Sequence, residues 1–338
     1  MKTGIISYGY YVPQYRIRVA DIASVWGKNT LEIERGLGVK EKAVSTAAED
    51  SLTMAYESSS MAMKGQTQPI GALFFGTESP VYAVNPSSTI LGELLDIGNN
   101  YLAYDTQFAC KAATGALISA IALVESKQIK SGLVVASDKA ASRPHDALEY
   151  TAASGSVSVI VGEKNPILTI EGWESFSSDT PDFWRREGIK YPSHGGRFTG
   201  KPSYFKHIAG SVKTVLSKLR YKPTDFTYAV FHMPNGKFPV QVAAQLGFST
   251  EQIKKSLVVS ELGNSYTASA LMGLVATLEY VKPGEKILFA SYGSGAGSDA
   301  FVFTATQLIE KKRLMFSKKM SEKKYIDYPT YLKCMRII

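Results

Sequence analysis

Residues 110–137, CKAATGALISAIALVESKQIKSGLVVAS, lie without a gap on residues 264–291, NSYTASALMGLVATLEYVKPGEKILFAS, when residue n is set against residue n+154. Ala116, Leu117, Ala122, Glu125, Ala136 and Ser137 recur as Ala270, Leu271, Ala276, Glu279, Ala290 and Ser291. The identities matter less than the shared grammar. Each block has a small-residue helix, a polar turn (KQIKSG, VKPGEK) and an apolar run of strand length. The same offset carries the end of GALFFGTESP (71–80) onto TYAVFHMPNG (227–236), setting Glu78 on His232 and Cys110 on Asn264. After a shorter connection, AASGSVSVIVGE (152–163) resembles SGAGSDAFVFTA (294–305), a glycine turn followed by a strand. Strands alternating with helices in both halves imply a layered α/β architecture built twice. The central helices are small and apolar all round, as helices covered by sheets on both sides must be.

The repeat divides the 338 residues into an N-terminal half, 1–165, carrying Glu78 and Cys110, and a C-terminal half, 166–338, carrying His232 and Asn264. Between them FWRREGIKYPSHGGRFTGKPSYFKH (183–207) mixes aromatic, glycine, proline and basic residues without a period, and its aromatics argue against disorder. It reads as an irregular segment that covers a ligand.

Composition excludes several function classes. Two distant cysteines, Cys110 and Cys334, form neither a disulfide framework nor a metal-ligand pair, so the expected compartment is the cytoplasm. His145, His194, His207 and His232 have no ligand spacing, and no metal is expected. MKTGIISYGYYVP lacks the apolar core of an export signal, and no run of about eighteen apolar residues occurs, so no membrane span is expected. The net charge of +8 suits any polyanion, from nucleic acid to a small ligand. Its densest run, EKKRLMFSKKMSEKK (310–324), has no aromatic interleaving and reads as a solvated face, so no nucleic-acid partner is expected.

Cys110 follows the strand-like NNYLAYDTQF and stands at the expected first turn of a helix. There, orphan N–H groups and the helix dipole can stabilise a thiolate and an oxyanion. His232 stands where a hydrophobic strand leaves the sheet. Equivalent strand ends of a duplicated fold converge, so Glu78 and His232 are expected to share a crevice with Cys110 and Asn264. Burial there should raise the pKa of Glu78 into the range of a general base or acid. Asn264 reads either as an N-cap or as an amide donor into the crevice. YGSGAGS (292–298) is a weak dinucleotide signal, because DAFVFTATQ after it reads as strand where a helix is required.

With Cys110, His232 and Asn264 in this order on a duplicated α/β chain, the sequence resembles the condensing enzymes of the thiolase superfamily. Ketoacyl carrier-protein synthase III enzymes share the cysteine, histidine and asparagine set. The carboxylate in GTESP looks like the catalytic glutamate of 3-hydroxy-3-methylglutaryl-CoA synthases. FACKAATGAL, GGRFTGKPSYFKH, FHMPNGKFP and IDYPTYLK resemble the short archaeal type of that synthase.

The resemblance implies a thiolase-like duplicated fold with αβαβα layers, and a condensation of acetyl-CoA with acetoacetyl-CoA and water. Cys110 is then the acetylated nucleophile, Glu78 the base and His232 the group that holds the ketone and protonates the new alkoxide. Asn264, Thr151, Thr199 and Ser294 are implied in substrate binding, and Arg197 and Lys237 as contacts to the CoA phosphates. No cofactor is implied, since the CoA thioesters are substrates. A homodimer is implied, with a possible complex with acetoacetyl-CoA thiolase and a small zinc-ribbon/OB-fold protein. Two alternatives remain at this point: a synthase III-like enzyme that decarboxylates a carrier-protein thioester, and a noncatalytic thioester-binding scaffold with an inert Cys110.

Overall fold

The computed structural model describes residues 2–196 and 198–338. Nine strands form one sheet: β1 (Gly4–Tyr11), β2 (Ile70–Gly76), β3 (Leu102–Thr106), β4 (Ser131–Lys139), β5 (Ser154–Gly162), β6 (Leu168–Ser177), β7 (Tyr228–Phe231), β8 (Lys286–Ala290) and β9 (Gly297–Ala305). Their spatial order is β7-β8-β9-β6-β1-β5-β4-β2-β3. Five helices matter for the site: α1 (Ser51–Met63), α2 (Ala112–Glu125), α3 (Lys206–Leu219), α4 (Phe238–Gln245) and α5 (Ser269–Leu278).

The halves meet where β1 pairs with β6 through only Gly4↔Thr169 and Ile5↔Leu168. On either side the pattern repeats. The strand pair β2–β4 is parallel, as is β7–β8, whereas β4–β5 and β8–β9 are antiparallel. In this described part of the chain β3, which extends the first half beyond β2, has no partner in the second half.

Alternation along the strands builds the layers. Ala72 and Phe74 of β2 and Val134 and Ala136 of β4 face one side and pack with α2 and α5; Leu73, Phe75, Leu133 and Val135 face the other and pack with Ala55 and Ala62 of α1. In the second half Phe289, Phe301 and Phe303 join the same central core, while Leu288, Ala300 and Val302 pack against Ile208, Val212 and Val215 of α3. The sequence of layers is therefore α1, first half-sheet, α2 with α5, second half-sheet, α3: the αβαβα arrangement expected. A helix between two sheets must bury every side, and all ten residues of α5 are buried.

One register differs from the sequence alignment. Val157 pairs with Ala136 and Ala300 with Ala290, so Val157 corresponds to Ala300 and not to Asp299. Small residues alternate on both strands, and only the ladder hydrogen bonds fix the phase.

The basic run at 310–324 is less solvated than expected. Lys312 Nζ donates to the Ile6 carbonyl (2.9 Å), and Arg313 donates to the carbonyls of Glu279 (2.8 Å) and Val281 (2.6 Å). These cations cap carbonyls and fasten the C-terminal segment across both halves. No described helix is long and apolar enough to cross a membrane.

Candidate active site

The parallel strands β2 and β7 end at corresponding places, and the residues just beyond them, Glu78 and His232, turn toward the seam between the halves. In open parallel sheets this carboxyl-end crevice is where ligands bind. Gly76 closes β2 against α2: a Cβ there would stand 2.5 Å from the backbone N of Ala113, so only glycine lets the Glu78 strand approach the Cys110 helix this closely.

A cavity of about 230 Å³ opens at the seam, and Cys110, His232, Asn264, Thr151, Thr199 and Ser294 all contribute to its wall. Phe183, His194, Gly196 and Thr199 bring the irregular segment 183–207 over it. That segment contains a short strand pair, Phe183–Trp184 with Ser193–His194, and a π-helical turn, Thr199–Phe205. Lys237 is not on the wall; it is exposed at the start of α4, next to the wall residues Asn235 and Phe238. Arg197 lies outside the described residues.

Cys110 departs from its expected local position. It precedes the N-cap, Lys111, so it lies just outside α2 and not in its first turn. The turn is tight, with Lys111 N donating to Phe108 O (3.2 Å) and Ala112 N to Ala109 O (3.2 Å), and Ala109 adopts φ 44°. The thiol is not activated by the helix end: burial first, then the Glu78 carboxylate, pushes its pKa well up. The resting sulfur keeps its proton and needs a neighbour to take it.

Glu78 is that neighbour. Burial, then the charge of Asp138, pushes its carboxyl up to about 8, against opposing pulls from Cys110 and Arg185. Its Oε1 is buried without a protein hydrogen-bond partner among the described residues. A carboxyl with such a pKa can both accept and return a proton near neutral pH.

His232 is lowered to about 3 by burial and is therefore a neutral imidazole in the resting site. Its carbonyl accepts a hydrogen bond from Tyr204 Oη (2.7 Å) and its N–H donates to Ala290 O (2.9 Å), which fixes the backbone, while Nδ1 has no protein partner among the described residues. Asn264 Oδ1 accepts from Tyr266 N (3.0 Å), leaving the amide NH2 as its free donor group. Its backbone donates to Thr151 O (2.7 Å) and accepts from Ala153 N (2.9 Å), which clamps the second half onto the first.

Asp138, at the end of β4, was not singled out by the sequence, although a carboxylate closing an apolar strand is a usable signal. Its Oδ1 accepts from Glu78 N (2.8 Å), Ser79 N (3.0 Å), Ser79 Oγ (2.7 Å) and Thr77 Oγ1 (2.8 Å), and its Oδ2 accepts from Thr267 N (2.9 Å). One buried carboxylate thus orients the Glu78 turn and the turn after Asn264. Among the described residues no three His, Cys, Asp or Glu side chains are arranged to hold a metal ion.

A protonated thiol, an uncharged imidazole and an amide donor on the cavity wall, with the near-neutral Glu78 carboxyl off that wall and beside the thiol, are a set for acyl transfer and carbanion chemistry. The glycine turn at 293–297 leads into β9, a strand, so it lacks the helix that dinucleotide binding needs.

Residues 1–166 match the family described as hydroxymethylglutaryl-coenzyme A synthase N terminal, and residues 216–305 match 3-oxoacyl-[acyl-carrier-protein] synthase III C terminal. The chain is 50% identical to a hydroxymethylglutaryl-CoA synthase of Archaeoglobus fulgidus, with 99% of each chain covered. It is 46% identical to one of Methanopyrus kandleri, over 98% of this chain and 97% of that one. A crystal structure of HMG-CoA synthase complexed with CoA superposes with a TM-score of 0.91 at 25% identity, covering 99% of this chain and 90% of the other.

Proposed function

The chain belongs to the hydroxymethylglutaryl-CoA synthase family, and from that premise we propose how its residues divide the reaction. The overall change is acetyl-CoA + acetoacetyl-CoA + H2O → 3-hydroxy-3-methylglutaryl-CoA + CoA, the condensation that leads into isoprenoid precursors through mevalonate. Atoms and charge balance without an oxidant, and the reaction calls for no cofactor beyond its CoA thioester substrates.

In the first step Glu78 accepts the Cys110 proton as the sulfur attacks the acetyl carbonyl. The carbon–sulfur bond to CoA breaks, the proton passes to the departing CoA thiolate and acetyl-Cys110 remains. In the second, Glu78 removes a methyl proton from acetyl-Cys110, and the resulting carbanion attacks the ketone of acetoacetyl-CoA. His232 and the Asn264 amide hold that ketone oxygen, and the proton taken by Glu78 is returned to it with the help of His232, which completes the alcohol and leaves Glu78 ionised again. Water then cleaves the thioester to Cys110. Thr151, Thr199 and Ser294 shape the acyl pocket, and Arg197 and Lys237 meet the CoA phosphates, cations suited to a polyanion.

The observation that carries this reading is Glu78 beside the Cys110 thiol. A carboxyl kept near pKa 8 next to a protonated sulfur is what both proton transfers require, and it separates this reading from a decarboxylating condensation, in which loss of CO2 generates the carbanion without a base. On the same reading the chain divides at 165/166 into two catalytic halves and works in the cytoplasm as a homodimer. Delivery of acetoacetyl-CoA by a complexed thiolase, with a zinc-ribbon/OB-fold protein between them, belongs to it as well.

Incubation with both thioesters and mass identification of the product tests the activity. With acetyl-CoA alone, an adduct on Cys110 that disappears in Cys110→Ser is expected; absence of the adduct in the parent enzyme would overturn the reading.

A further inference from the structure

The turns at Cys110 and Asn264 are each anchored to the opposite half, by different means. Asn264 is zipped to the segment before β5 by two backbone hydrogen bonds, to Thr151 and from Ala153. The Cys110 turn lies against the corresponding segment before β9. A Cβ on Gly293 would stand 2.5 Å from Phe108 O and 2.9 Å from Lys111 Cγ, so the two chains are in close contact. Among the described residues no backbone hydrogen bond joins 107–111 to 291–297. Side chains tie the turn to the second half instead: Thr267 Oγ1 donates to Ala109 O (3.5 Å), and in a buried ion pair Lys111 Nζ lies 2.9 Å from both carboxylate oxygens of Asp299 in β9, the two side chains being 6% and 0% exposed.

Local physics does not call for a lysine at this place. Lys111 is the N-cap of a fourteen-residue helix, where a cation opposes the dipole and an oxygen-bearing side chain is preferred. The residue is explained by what it reaches. Asp299 also accepts from Thr114 Oγ1 (2.7 Å) in α2 and Ser175 Oγ (2.7 Å) in β6, and Ser291 Oγ is 2.7 Å from Thr114 Oγ1. The ammonium also sits 3.9 Å above the Phe108 ring. The bonds from Lys111 and Thr114 tie the nucleophile's turn and the start of α2 to the second half-sheet, and Ser175 holds Asp299 within that sheet.

The turn needs such a tie. Ala109, immediately before Cys110, holds φ 44°, a left-handed conformation that a non-glycine residue keeps only when its surroundings impose it. We propose that the Lys111–Asp299 pair is a strut that positions Cys110 for acetylation, holding the strained turn so that the sulfur faces Glu78 and the cavity. The pair touches no reacting atom. The inference rests on the reading that Cys110 is acetylated, and it adds to that reading the contact between halves that sets the attacking geometry.

Lys111→Met, Asp299→Asn and the double variant test it by rapid-quench acetylation with acetyl-CoA alone, read by intact mass, below the melting temperature of each protein. Folded variants are expected to acetylate on the order of 30- to 100-fold more slowly at saturating acetyl-CoA, because misplacement by about 1 Å costs that much. Half-saturating acetyl-CoA should stay within about threefold and the final acetylated fraction should stay parental, whereas a loss of folded protein lowers that fraction and not the rate constant of the folded remainder. A folded variant that acetylates at the parental rate, or loses affinity only, overturns the strut. If the single variants fail to fold, the double variant, which leaves no lone charge buried, and Ser175→Ala, which removes one hydrogen bond from Asp299, decide it. Both must then be slower than the parent, and parental rates in both overturn the strut. A parent enzyme that takes no acetyl group removes the functional reading itself, and the strut's catalytic role with it.

Discussion

Glu78 and His232 occupy corresponding strand ends of the two halves, and burial moves them in opposite directions to the same result. The carboxyl is raised to about 8 and the imidazole lowered to about 3, so each rests uncharged. A duplicated fold thus gives one apolar environment twice, and residue type alone decides whether it yields a base on call or a neutral hydrogen-bonding group. Cys110 and Asn264 form the second such pair. Both turns hold a left-handed residue, Ala109 at φ 44° and Tyr266 at φ 47°, but the first is anchored by side chains and the second by its own backbone and a hydrogen bond from Tyr266 N to Asn264 Oδ1.

Breaking the first member of each pair should cost most. Cys110→Ser removes the nucleophile, and overall synthase activity should fall by on the order of 10⁴-fold or more, measured as product formed from both thioesters. Glu78→Ala should still take up an acetyl group, slowly, yet form carbon–carbon bonds about 10²- to 10⁴-fold more slowly. Condensation at near-parental rate in that variant would make the pairing of Glu78 with His232 a structural accident.

His232→Ala should leave acetylation nearly intact and lower kcat/KM for acetoacetyl-CoA by about 10²-fold, which steady-state kinetics at fixed acetyl-CoA can read. Equal damage to both half-reactions would erase the division of labour between the halves. Asn264→Ala should cost less, about tenfold in condensation and on the order of 1 kcal/mol in stability by denaturant titration, because it loses one amide donor and the bond to Tyr266 while its backbone clamp survives.

The pH dependence sharpens the contrast between the two neutralised groups. Proton abstraction needs ionised Glu78, so the condensation rate should rise with pH and level off above about 8; a flat profile from pH 6 to 9 would remove Glu78 as the base. The same shift affects stability. A carboxyl raised from 4.5 to about 8 favours the folded state fully below 4.5, and that contribution is lost as pH rises through about 8. Glu78→Gln should therefore gain stability relative to the parent between pH 5 and 8, by about 3 to 4 kcal/mol at roughly 1.4 kcal/mol per pH unit.

Much of the site was legible in the sequence because duplication turns a linear offset into a spatial rule. Cys110, His232 and Asn264 meet at one cavity; Thr151, Thr199 and Ser294, which only the family resemblance had implied, also line it. Asp138 and the Lys111–Asp299 pair were not legible, since their partners lie in other strands and other halves. A lysine after a cysteine carries no local signal of a bond to a residue nearly two hundred positions away. The strand register at Val157 escaped for a related reason: alternating small residues look alike in either phase until a neighbouring strand pairs with them.

The sequence by itself determined the layered, twice-built α/β fold and the residue types brought to the seam, because hydrophobic periodicity and internal repetition are properties of the chain. The tertiary structure decided the protonation state of each group and the phase of the strands. It also decided how the nucleophile's turn is held. Burial, ladder pairing and buried ion pairs exist only once distant segments exclude water from one another.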